Sequence, residues 1–215
     1  MSDNIKVENN ADIGSQTIVN IQNMSGNIAA PGQVVYTISL NGKNSDDVDT
    51  KHIALNSEYY SLLVVNFEEF QAGRVIVRQN WIWPHIEEPE INELFFKFDD
   101  ESISRLKKLP CIFSNENYHY HGKARPEQMA HLGVITDIRA QQDEIIIYYN
   151  LLMDIAQQQI NDLAPFLGLR GRTGITEMNQ THWTVKRVNL IQELMAAGID
   201  VIEIINQKTE VTIND

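Results

Sequence analysis

Residues 133–138 (Gly-Val-Ile-Thr-Asp-Ile) and 144–149 (Glu-Ile-Ile-Ile-Tyr-Tyr) are two β-favouring runs joined by Ala140-Gln141-Gln142-Asp143. That spacing predicts a hairpin, and it commits the middle of the chain to sheet structure. Shorter strand-like runs at 34–40, 59–65, 74–77, 111–113 and 181–185 surround it, and a last hairpin is expected over 201–213. Helical spacing is confined to a few short stretches. Pro89 suits a first helical position ahead of Ile91, Leu94, Phe95 and Phe98. Asp99 or Asp100 caps a helix over 101–108, Asp154 one over 155–167, and Asn189 one ending at Gly198. There is no βαβ alternation and no Gly-rich phosphate loop, which excludes a Rossmann sheet. The expected fold is α+β: a small antiparallel, partly closed sheet or barrel, three to four short helices, and a strand-rich N-terminal arm.

The arm is expected over 1–50 and the α+β core over 51–215. Asn41-Gly42 and the acidic stretch 43–51 mark the passage between them. Residues 1–30 hold short apolar pieces separated by Asn, Gly and Ser, too few to build a core alone. Their unpaired strand edges suit self-association, with Ile13, Ile18, Val19, Ile21 and Met24 as the contact residues.

Charge narrows the partners. Lys and Arg number 17 and Asp and Glu 29, a formal net charge of −12. General nucleic-acid binding rests on phosphate neutralisation, so it is disfavoured. Apolar runs reach only about five residues, far short of the ~20 of a membrane helix. The first ten residues show no basic region followed by an apolar run, so no secretory signal is expected and the chain is placed in the cytoplasm. The single cysteine, Cys111, lies among apolar neighbours and reads as a small buried hydrophobe.

Three places hold residues capable of chemistry. His119 and His121 flank Tyr120, and on an extended chain residues two apart share a face. With His131, and Glu116 or Asp137 nearby, they form a candidate divalent-metal set, the one route to a cofactor here. Thr181 to Lys186 brings His182, Trp183 and Lys186 together, with His182 and Thr184 on one side of a strand and Trp183 and Val185 on the other. Trp81 and Trp83 are the third place, and with His182, Trp183 and Lys186 they make a candidate ligand pocket.

The order of these motifs carries a resemblance. Pro110-Cys111-Ile112-Phe113 with Glu116-Asn117 precedes 133–138 and 144–149, then Asn179-Gln180-Thr181-His182-Trp183-Thr184-Val185-Lys186 and a Leu-rich helix. Over about 52–199 this series resembles an uncharacterised bacterial domain associated with multidomain defence and conflict proteins. The resemblance implies a stand-alone sensor or adaptor and brings no activity with it. The resulting expectation is a non-enzymatic binding or interaction protein whose partner is itself, another protein or a small ligand. Two rivals differ in class. One is a small metal-dependent hydrolase using the His cluster. The other is a PUA-like barrel reading a nucleobase, with a rim of Arg170, Arg172, Lys186 and Arg187.

Overall fold

The computed structural model describes residues 36–41, 50–66, 70–82, 89–172 and 174–201. The arm residues Ile13, Ile18, Val19, Ile21 and Met24, together with Trp83 and the hairpin expected beyond residue 201, lie outside them.

Strands β1 (Tyr36–Asn41) and β2 (Thr50–Leu55) pair antiparallel, so residues on both sides of the expected 50/51 boundary form one hairpin. There follow β3 (Tyr60–Val65), β4 (Arg74–Arg78), α1 (Pro89–Phe95), α2 (Asp100–Leu106) and β5 (Pro110–Asn115). The long hairpin is β6 (Met129–Ala140) and β7 (Glu144–Ala156), followed by α3 (Gln157–Asp162). The two-residue strands β8 (Gly171–Arg172) and β9 (Ile175–Thr176) precede β10 (His182–Lys186) and α4 (Leu190–Ala196).

Six strands form the central sheet in the order β10-β3-β5-β6-β7-β4. The α+β class holds, but the sheet differs from the antiparallel, partly closed one expected. It is open, ending at β10 and β4, and it is mixed, because β3 and β5 run parallel. The cause is the route of the chain. After β3 it travels to the far edge as β4 and returns through α1 and α2, which brings β5 in beside β3 in the same direction.

Both faces of the sheet are covered. One face packs Leu63, Phe113, Ile147 and Trp183 against Ile91 and Phe95 of α1 and Leu106 of α2. The other packs Leu62, Ile112 and Met153 against Ile160 of α3 and Leu190 and Leu194 of α4. Strand β3, flanked by β10 and β5 and covered above and below, buries all six residues. That explains its unbroken apolar run, since a strand covered on both faces has no polar side to present. Each buried Leu or Val there contributes about 1.5–3 kcal/mol. A smaller cluster joins Ile38 and Leu55 of the β1–β2 hairpin to Val134 and Leu152.

Helix α2 starts where expected, with the Asp99 side chain accepting from the Ser102 backbone N–H at 2.8 Å. The first four N–H groups of a helix lack intrahelical partners, which is why a carboxylate is favoured there. Asn189 does the same for α4, accepting from the Gln192 N–H. Asp154 does not cap a helix. Strand β7 runs on to Ala156, and the Asp154 carboxylate is taken by His131 directly across the ladder. No helix among the described residues is long and apolar enough to cross a membrane.

Candidate functional site

Strand alternation divides the residues expected to share a pocket. Trp183 points into the first core, fully buried, with Nε1 donating to Ser61 Oγ at 2.8 Å and its ring edge-on to Phe96 at 5.3 Å. Trp81 packs at the margin of that same cluster, and its neighbour Ile82 bridges to Trp183. His182 and Lys186 face the opposite side of the sheet, also buried. So the structure brings Trp81 and Trp183 together but places the sheet between them and the His182–Lys186 pair. Lys186 Nζ meets Glu177 Oε1 at 2.9 Å, and His182 Nε2 stands 3.9 Å from Glu177 Oε2. His182 Nδ1 lies 2.7 Å from the Gln180 carbonyl, which only accepts, so Nδ1 carries the proton. Of the basic rim proposed for a nucleobase, Arg187 is exposed and pairs with Glu58 at 2.7 Å.

The histidines likewise do not gather. Residues 118–123 form a tight turn in which His119 bridges Lys123, and His121 has φ +62°. A left-handed residue breaks the alternation that would have put His119 and His121 on one face. His131 belongs instead to β6, with Nδ1 2.8 Å from Asp154 Oδ1 and its ring edge-on to Phe70. Among the described residues no three His, Cys, Asp or Glu side chains are grouped to hold a metal ion.

One end of the sheet collects a set of polar side chains around an opening. The parallel strands β3 and β5 end there, β6 begins there and α3 starts there. A cleft of about 820 Å³ lies among them, lined by Asn115, Glu116 and Asn117 after β5, by Gln128 and His131, and by Gln157. Tyr118 and Arg125 stand at its margin, with the guanidinium carbon 3.0 Å from the centre of the half-exposed Tyr118 ring.

The floor of this cleft is a relay of buried amides. Gln157, fully buried, donates through Nε2 to the Asn115 carbonyl at 2.9 Å and to Asn117 Oδ1 at 2.7 Å. Asn117 and Asn161 exchange reciprocal amide hydrogen bonds, both 2.9 Å. Gln157 and Asn161 are four apart on α3, which puts them on one helical face. Gln128 ties down the loop above. Its Oε1 accepts from the Tyr118 and Arg125 N–H groups, and its Nε2 donates to the Glu116 carbonyl. Glu116 is held from the other side by the Thr181 hydroxyl, which donates to Oε1 at 2.6 Å. Buried polar networks of this kind are rigid when satisfied, because each member fixes the next. One atom departs from the pattern: Gln157 Oε1 is buried and, among the described residues, meets no donor.

A second cleft, of about 760 Å³, lies between β2, α2 and β6, lined in part by Ile53, Ile103, Lys107, Thr136 and Asp137. Buried amides do not floor it.

Asn117, Gln157 and Asn161 carried no signal of their own in the sequence. Amide residues in polar stretches read as solvated surface. The available clue was the i, i+4 pair Gln157/Asn161 beside the apolar run 151–155. Comparison with known proteins adds nothing to the site: no family model, no curated protein and no solved structure matches the chain.

Proposed function

We propose that this chain is a binding module and that the cleft at the carboxyl ends of β3 and β5 is where it takes a small ligand. The observation that carries this reading is the buried amide relay Gln157–Asn117–Asn161 flooring an opening of about 820 Å³. The volume lies within the roughly 300–1,000 Å³ of small-molecule sites. Polar groups already fixed by one another lose little freedom when a ligand arrives, so binding energy is not consumed in ordering them. Both cores, by contrast, are held by apolar packing, and neither requires a polar network at the strand ends. A sensor or adaptor role of the kind found in bacterial defence follows from the resemblance over 52–199. Self-association through residues 1–30 remains part of the proposal.

The test is NMR of the full chain, titrated with a fragment set that spans cationic, neutral and anionic compounds. The expected result is that the Asn117, Gln128 and Gln157 side-chain amide signals move together for at least one class. If no class moves them, or if shifts cluster elsewhere, the cleft is not the binding site.

A further inference from the structure

Resting on the reading of the cleft as a binding site, we propose that the group it receives is the primary ammonium of a small amine.

Gln157 lines the cleft and is fully buried. Its Nε2 side is fixed by a backbone carbonyl, an acceptor that cannot be exchanged for a donor, so the orientation of the amide is set. What remains is Oε1, an acceptor with no donor among the described residues, in a residue that lines the cleft. A buried acceptor left in that condition is unfavourable, and a ligand N–H relieves it. The other lining groups offer the same sign. Glu116 brings a carboxylate, anchored on one oxygen by Thr181. His131 directs Nδ1 to the Asp154 carboxylate, 2.8 Å away. Glu127, at the margin, pairs with Arg125 at 4.0 Å. The one lining guanidinium, Arg125, is turned onto the Tyr118 ring. An anion therefore meets the Glu116 carboxylate, and a neutral acceptor meets the Gln157 oxygen. A cation with several N–H donors meets an amide oxygen and a carboxylate. Gln157 Oε1 is recessed, so the head that reaches it must be slim, which favours ammonium over the broad guanidinium plane. Met129 and Tyr118, both exposed beside the cleft, give the alkyl part of the amine an apolar rest.

The experiment is calorimetry on the full chain with n-butylamine as probe. Isosteric n-butanol, butyrate and n-butylguanidine and a lysine-containing tripeptide are the comparisons. Butylamine is expected to bind most tightly. Glu116→Gln, which keeps an oxygen for Thr181 and loses the charge, is expected to weaken it about tenfold, as for a lost charge-assisted hydrogen bond. Gln157→Met is expected to weaken it further, and because that change disturbs the relay, Glu116→Gln serves as the variant that leaves the floor intact. Equal binding of butanol, tighter binding of butyrate or butylguanidine, or indifference to Glu116→Gln overturns the ammonium assignment. Tighter binding of the tripeptide overturns the small-amine assignment in favour of a peptide. If neutral or anionic fragments move the cleft amides in the NMR titration while butylamine does not, the ammonium inference fails and the binding site stands. If nothing moves them, both fall.

Discussion

Glu177, Lys186 and His182 are charged or polar side chains enclosed on the α4 side of the sheet, with Glu177 and Lys186 paired at 2.9 Å. Such a pair gains little over an apolar replacement, yet breaking it from one side leaves a buried charge without its counter-ion. Glu177→Gln is expected to destabilise the fold by about 3–5 kcal/mol in urea denaturation, whereas the double change Glu177→Leu with Lys186→Met recovers most of that loss. Cys111 is governed by the same exclusion of water. Burial raises its thiol well above the ordinary value of 9.0. The folded chain therefore keeps its proton where the unfolded chain releases one. This contribution to stability is intact below 9.0 and declines as pH rises beyond it. Iodoacetamide should leave the native thiol unmodified and label it in urea, and a Cys111→Ala variant should lose less stability than the parent above that pH. The sequence disclosed Cys111 as a buried residue because its neighbours are apolar. It did not disclose Glu177, whose burial depends on a partner nine residues away on another element.

Gly133 shows how one element depends on a missing side chain. The β6–β7 register shifts beside it, and a Cβ there would stand 2.4 Å from the Asn150 carbonyl oxygen and 3.0 Å from the Phe113 ring. Backbone cannot yield as a flexible side chain can, so Gly133→Ala is expected to cost about 1–3 kcal/mol, read as a fall in the thermal midpoint. The hairpin containing Gly133 was legible from its two β-branched runs and four-residue connection, but its length was not. Strand β7 extends through 150–156 because His131 draws Asp154 across the ladder, and a local reading takes any Asp before an apolar stretch for a helix cap. The helices around Asp99 and Asn189 were legible because their caps act within three residues. The parallel pairing of β3 with β5 was not, since nothing in either strand encodes the direction of a neighbour about fifty residues on. The site shared that fate: Asn117 and Asn161 meet across 44 residues of chain, and only the finished sheet end brings them together.

At the scale of the whole molecule, the central sheet is covered on both faces by its own helices. The role proposed for the first thirty residues is assembly. Native mass spectrometry of the full chain is expected to show an oligomer that dissociates on the double change Ile18→Asp with Ile21→Asp. An unchanged subunit count would remove self-association through that segment. The position of β3 has a further consequence, for the order of events during synthesis. Its six residues are all enclosed in the finished protein, yet the edge strand that completes their cover arrives late, Ser61 and Trp183 being 122 residues apart. At ribosomal rates that interval is roughly 6–25 s, during which a continuous apolar strand waits with one edge unoccupied. The nascent chain thus carries this strand before its edge partner has been made, and shortening translation pauses between β3 and β10 should raise its soluble yield.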